Sequence, residues 1–537
     1  MAYTFGVICA LILFIVVGNY AGTKVKNVDD YYVSGRQAPT ILIVGTLLAS
    51  YLSTNALMGE SSFMYVGYPG AMLILMSINA CGYIAGALWF GRYIRRSEAK
   101  TVPEYFGMRF SPKVQKAAAV TILIGVFAYL FAVTQGVSIV MGNLLGVDRI
   151  VALLIAWLTY TSFTFYGGSK GVILTDTIMC FIFFLAILVA VPFTLNAVGG
   201  WTNVVTTLAT FDLKPDMMAF FSLTGDGAYW SSPLETVGWA LIYGFVWALV
   251  VATSPWQTSR YLMAKNEHVV LRSGMLSTVL VLFFYLTLAI VAVSLNLVDP
   301  NMAGEQELLS TALGQTPIQV FPTWLGVIIV TGILSAALSS ASTFLSLIGF
   351  SVVNDLGLGK SDTNHMLRNS RAAMLLVSIF ALIACYLFPP DIMWATYFAA
   401  TVFASSWGPV CFLSIWWKKV TEDGAFWSII VGFLTNVFAK VGATIGLFSL
   451  PTFADPFVIG FLCSLATLIV VSLAGKPTEE QLAYRQNLFD RIPVDQYSDK
   501  KEAKTTLLFP WIIIGGGVVY MILLIVFYAI PYLNAIA

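Results

Sequence analysis

The first constraint on this chain is a series of mainly apolar stretches, each close to the roughly 20 residues that a helix needs to cross a bilayer. Fourteen are read, at approximately 4–23, 40–66, 70–95, 114–145, 148–166, 169–196, 234–263, 268–298, 323–355, 369–388, 391–417, 424–449, 455–475 and 507–534. Lipid offers no partner to an open backbone N–H or C=O, so continuous apolar runs of this length predict helices. The fold class is therefore an all-α integral membrane protein with about 14 transmembrane helices. Only 10% of the 537 residues are charged and 58% are hydrophobic, far from the quarter or so of charged residues usual in soluble domains. No connector is long enough to fold as a soluble domain of its own.

The charges in the connectors alternate. With the N-terminus outside, the inner connectors hold 25 of the 28 Lys and Arg, among them Arg36, Arg95, Arg96, Arg109, Lys170, Arg260, Lys360 and Arg491. The outer side keeps only Arg149, Lys214 and Lys440. This positive-inside bias predicts a multi-pass protein of the plasma membrane with both termini outside. The outer connectors 197–233 and 299–322 are long, and the second carries Asp299, Glu305 and Glu307 without a base.

Several function classes drop out. A net charge of +1 gives no reason to expect nucleic acid as a partner. The six cysteines show no paired spacing and the two histidines, His268 and His365, stand alone in polar connectors, so neither a zinc site nor a nucleophile–base constellation is visible. An enzyme is not expected. No phosphate-binding loop appears, which argues against a primary pump and leaves an ion gradient, or nothing, as an energy source.

Two spans are interrupted. Ala49-Ser-Tyr-Leu-Ser-Thr-Asn-Ala-Leu-Met-Gly-Glu60 places polar residues and a glycine in mid-membrane, and Thr253-Ser254-Pro255 removes a backbone donor from the seventh span. The breaks lie five spans apart, which divides the chain into a peripheral helix with an inner connector (1–39), a first five-helix repeat (40–196), an outer loop (197–233), a second five-helix repeat (234–417) and peripheral C-terminal helices (418–537). Corresponding broken helices in two halves point to a five-plus-five inverted-repeat core with a midplane binding site, the alternative being two ordinary kinks.

In the ninth span, Ala336, Ser339, Ser340 and Thr343 fall at i, i+3, i+4 and i+7 and share one helix face. The stripe is either a close-packing seam or an oxygen-lined site. A sodium ion needs oxygens, and a membrane helix supplies them from hydroxyls or from carbonyls freed by a break, here the one at 49–53. Asp176, about 9 Å above the inner end of its span, reads as an inner cation site or a structural pair. Glu60 beside the first break reads as a gate or a local hydrogen-bond partner. Ser53, Asn55, Asn79, Gln135, Trp247, Thr401, Ser405 and Ser406 carry polar groups within spans of the two repeats, to line a substrate pocket or to bond between helices.

Five stretches make a family recognisable. They are Asp30-Tyr-Tyr-Val-Ser-Gly-Arg36, Thr101-Val-Pro-Glu-Tyr-Phe-Gly-Met-Arg-Phe110, Tyr166-Gly-Gly-Ser-Lys-Gly-Val-Ile-Leu-Thr-Asp176, Gly332 to Ser340, and Gly408-Pro409 with Trp416-Trp417-Lys418 and Gly424-Ala425. With them the chain resembles the sodium:solute symporters, whose members carry sugars, proline, pantothenate, monocarboxylates, iodide and sialic acid. The resemblance implies the leucine-transporter fold, alternating access and Na+ as coupling ion. By position it implies a main sodium site on backbone oxygens of Ala49, Leu52 and Ala336 and hydroxyls of Ser339 and Ser340. It also implies a second site on Asp176, Ser342 and Thr343, which only some members use. Ser259, Met179 and the pair Asn55-Ala56 depart from common members, the last arguing against a sugar.

The function expected is secondary active transport, sodium-coupled symport of a small organic solute such as a monocarboxylate, an amino acid or a vitamin. A proton-coupled carrier using Asp176 or Glu60, and a solute-binding channel or sensor that does not accumulate its ligand, are the alternatives.

Overall fold

The computed structural model describes residues 2–302, 304–357, 363–389, 391–490 and 500–537. Of the inner charges named above, Lys360 and Arg491 lie outside them. Among the described residues the chain is helical, and its one β-type pairing is an isolated bridge between Ala38 and Ala264.

Twelve described helices are long and apolar enough to cross a membrane, thirteen when a bent pair is taken as one. In chain order the spanning elements are α1 (Ala2–Gly22), the bent α2 (Thr40–Tyr51 with Asn55–Val66), α3 (Pro69–Ser97), α4 (Pro112–Leu145), the shorter α5 (Arg149–Ser162) and α6 (Gly167–Ala197). After the outer loop come α7 (Pro233–Met263), α8 (Glu267–Leu297), α9 (Thr323–Asp355), α10 (His365–Leu387), α11 (Ile392–Trp416), α12 (Glu422–Thr444), α13 (Pro456–Ala474) and α14 (Glu502–Ile536). Every predicted stretch holds helix, that of α5 included. Its helical hydrogen bonding runs on toward α6 through Gly168, whose φ of 51° and ψ of −152° put a kink there. A Cβ on Gly168 would stand 2.4 Å from the Tyr31 ring, so the glycine also lets the connector after α1 approach.

Packing sorts the helices. The most apolar window of α9 is 89% buried and that of α11 83%, whereas α1 and α13 reach 28% and α14 only 6%. The core is therefore built from α2, α7, α9 and α11, and the chain ends are its lipid-facing rim. Apolar surface on the rim is what a bilayer solvates, so the many exposed Leu, Ile and Phe of α13 and α14 need no protein partner.

Both predicted breaks are present. The first half of α2 ends at Tyr51, Leu52 takes φ −78° and ψ 78°, and the second half leaves at an angle of 58°. The first half of α7 ends at Thr253, and Ser254 is extended (φ −61°, ψ 151°), as a residue ahead of proline prefers, so that Pro255 can open the second half. The N-terminal end of α2 and the C-terminal end of α7 are tied directly. Ala38 N–H donates to Met263 O at 3.1 Å and Lys265 N–H to Ala38 O at 3.0 Å.

Candidate functional site

The break in α2 releases a carbonyl. In an unbroken helix Ser53 N–H would bond to Ala49 O; here it donates to Tyr51 O at 2.9 Å. Ala49 O is instead met by the hydroxyl face of α9, with Ser339 Oγ at 2.9 Å and Ser340 Oγ at 3.3 Å. Ser339 Oγ also lies 3.0 Å from Ala336 O. Hydroxyl hydrogens rotate, so the oxygens that donate here can also turn lone pairs inward to a cation. The structure thus brings Ala49, Ala336, Ser339 and Ser340 together, with the non-helical Leu52 one turn beyond Ala49. Gln257, in the second half of α7, reaches the same segment through Leu47 O (3.2 Å) and Ser50 Oγ (3.3 Å).

One level further in, Asp176 of α6 accepts from Thr46 Oγ1 at 2.6 Å and pairs with the Arg260 guanidinium at 3.3 Å. Arg260 also contacts Thr343 Oγ1. Both charges are buried, and Asp176 Oδ1 has no partner. Arg260 was counted above with the inner connector. It is instead inside α7 and 2% exposed, the counter-ion to an acid that the sequence leaves unpaired. Ser342, the other predicted member of this group, donates back to Ser339 O at 2.9 Å. A narrow cleft with about 20 Å³ of free space, room for roughly one water, runs past Arg260, Thr343 and Ser346 to Thr101 and Asp355.

On the C-terminal side of the break, Glu60 gathers three neutral donors. Asn55 Nδ2 reaches Oε1 at 2.8 Å and Tyr397 OH at 3.1 Å, and Tyr285 OH bonds to Oε2. Trp247 fills the next layer, its ring 5.5 Å from Tyr51 and 5.3 Å from Tyr397, while Asn79 bonds to Tyr51 OH. Glu60 and Asn55 are thus linked to Trp247 through Tyr397, and Trp247 to Asn79 through Tyr51. Ser53 sits beside them as a local cap, accepting from Asn55 N at 3.1 Å with Tyr129 OH at 3.2 Å.

The remaining predicted pocket residues are not in this cluster. Thr401 and Ser405 point from α11 toward α12, bonding to Asn436 Oδ1 (3.3 Å) and Gly432 O (3.4 Å), and Ser406 bonds to Val402 O within its own helix. Gln135 of α4 accepts from Cys385 of α10 at 3.4 Å. A polar residue in a span reports that a partner exists but not the direction in which it lies. Conversely Thr46, Arg260, Tyr285 and Tyr397 were not anticipated. For Arg260 a signal existed, since a cation that falls within a span predicts a buried acid nearby.

The outer connector closes over the second half of α2. Ser62 Oγ donates to Glu307 Oε1 at 2.8 Å and accepts from Glu305 N at 2.9 Å. Glu305 Oε1 accepts from the first amides of α11, at 3.1 Å from Ile392 and 3.3 Å from Met393, which satisfies donors a helix N-terminus leaves open. Burial pushes both carboxyls up to about 7, with the charge of Asp391 adding to the rise at Glu305. Burial lowers Lys214, bonded to Tyr65 O and Asn296, to about 8.

Comparison with known proteins places this arrangement. A solved structure of a substrate-bound, outward-open Na+-coupled sialic acid symporter matches with a TM-score of 0.73 at 17% identity, covering 89% of this chain and 99% of that one. A nucleobase-cation-symport-1 family transporter shares the fold more loosely, with a TM-score of 0.55 at 10% identity and coverage of 85% and 98%. Among curated relatives, the sodium/proline symporter of Escherichia coli (strain K12) is 24% identical over 86% of this chain and 91% of its own. The sodium/pantothenate symporter of Haemophilus influenzae is 24% identical over 82% and 90%. The profile of the sodium:solute symporter family matches residues 31–432, from the connector after α1 through the core into α12, and the chain is a member of that family.

Proposed function

We propose that this multi-pass membrane protein carries out its sodium-coupled symport by holding the coupling Na+ at the break in α2. The ion is bound by backbone oxygens of Ala49, Leu52 and Ala336 and by the hydroxyls of Ser339 and Ser340, and a small organic solute binds beside it at Asn55, Glu60, Asn79 and Trp247. The carrying observation is the Ala49 carbonyl, freed by the break and met by two serine hydroxyls of the facing helix. Neutral ligands of this kind bind an ion weakly enough to release it each cycle. In this reading the repeats 40–196 and 234–417 move against one another, and both termini face outward. Each charge carried inward gains about 2.3 kcal/mol per 100 mV.

Asp176, Ser342 and Thr343 form an inner station through which the ion leaves. Asp176 Oδ1, the oxygen that Arg260 does not engage, is the atom free to meet it. Arg260 then acts as the resident that the passing ion must displace.

Uptake by reconstituted protein tests the main site. Removing one ligand oxygen costs about 1–3 kcal/mol, so Ser340→Ala is expected to raise the half-saturating Na+ concentration by roughly 5- to 150-fold. A variant that kept full sodium dependence would sink the assignment.

A further inference from the structure

We propose that the cluster around Glu60 recognises a protonated amine, so that the solute taken up with sodium is an amine-bearing molecule, zwitterionic or cationic. The inference rests on the reading that the solute binds in this cluster, and adds its chemical class.

Glu60 is 1% exposed, and its hydrogen-bond partners, Asn55, Tyr285 and Tyr397, are all neutral. Among the described residues it is paired with no cationic side chain. A carboxylate deep in a low-dielectric interior is costly unless a cation meets it. The protein supplies that cation to Asp176 in the form of Arg260 and supplies none here.

The walls suit an ammonium group. Trp247 packs edge-to-face against Tyr51 at 5.5 Å and Tyr397 at 5.3 Å, centroid to centroid, and aromatic rings attract cations. Two buried acceptors, Asn55 Oδ1 and Asn79 Oδ1, have no partner, which asks for N–H donors and favours a primary or secondary amine over a quaternary one. Trp247 Nε1, buried and also unpartnered, is a donor left for an oxygen elsewhere on the solute. A plain monocarboxylate would bring a second negative charge beside Glu60 and leave both acceptors unsatisfied.

The test is a thermal-shift screen of the purified full-length protein, with and without Na+, against matched pairs: proline and tetrahydrofuran-2-carboxylate, 5-aminopentanoate and pentanoate, putrescine and butane-1,4-diol. Stabilisation is expected from amine members alone. A hydrogen bond to a charged group contributes about 1.5–3 kcal/mol, so Glu60→Gln is expected to weaken the binding amine by roughly 10- to 100-fold. Trp247→Leu, which leaves the carboxylate in place, is expected to weaken it less. Binding by the amine-free members, no binding by any amine, or an amine affinity unchanged in Glu60→Gln overturns the proposal. Amine binding that is insensitive to Na+ and to Ser340→Ala would uphold it while overturning the proposed ion site.

Discussion

Asp176 and Glu60 lie in one bundle, each all but inaccessible to solvent, and they differ in what faces them. Asp176 has Arg260 at 3.3 Å and a threonine hydroxyl at 2.6 Å. Glu60 has an amide and two phenols. The first charge is balanced inside the protein and ties α6 to α7 near the inner end of the bundle. The second has only neutral partners among the described residues, and in the reading proposed above an amine completes it. Two acids of the same core thus differ in whether the protein itself supplies a cation, a difference set by the neighbours and not by the acids.

The comparison breaks most readily at Arg260. Arg260→Met strands the Asp176 carboxylate, and removing one partner of a buried pair costs about 3–5 kcal/mol. The apparent melting temperature of the detergent-purified variant is expected to fall well below wild type. Arg260→Met combined with Asp176→Asn is expected to recover most of the loss, because no charge is then left unpaired. If the single variant melts like wild type, Arg260 is not the counter-ion and the contrast with Glu60 disappears.

Glu60→Gln is expected to move stability the other way. The amide keeps an acceptor for Asn55 or Tyr397 and removes an unmatched charge, so stability is expected to stay level or to rise by about 1 kcal/mol. Asp176→Asn, the same chemical change, is expected to lower it. Melting curves of the two variants side by side sharpen the comparison, and a shared sign would show that both acids do the same work.

These neighbours also mark the limit of what can be read from one dimension. The spans were legible because apolar length is a local property, and so were the breaks, since Pro255 and the polar run at 49–60 act on their own backbone. The hydroxyl stripe of α9 was legible from its period, and its approach to the α2 break joins Ala49 to residues 290 and 291 positions away. The partners of the acids left no comparable trace. Tyr285 and Tyr397 stand 225 and 337 residues from Glu60, and tyrosines in membrane spans are too common to single out two. Thr401 and Ser405 show the same limit, since a hydroxyl within a span gives no azimuth, and these two bond toward α12.

A carboxyl near water has a third course, which is to take a proton. Glu305, in the connector before α9, is half-buried and Glu307 is buried, and both are pushed up to about 7 from an ordinary 4.5, chiefly by burial. Groups so raised bind protons more tightly in the folded connector than in an opened one. Their contribution is therefore complete below pH 4.5 or so and is lost as pH rises through about 7. Lys214, lowered to about 8, acts only above that pH and in the opposite sense. The effect at Glu305 should be smaller than either change at Asp176 or Glu60, because solvent screens a group that water can reach. Hydrogen-exchange protection of the amides in 305–312, corrected for intrinsic exchange, is expected to be lower at pH 7.5 than at pH 5. The difference should vanish in the double variant Glu305→Gln with Glu307→Gln. Protection that instead rose with pH would mean that these acids hold the connector shut in their charged form, which would place them with Asp176 as paired groups and require a cation that Lys214 alone can provide.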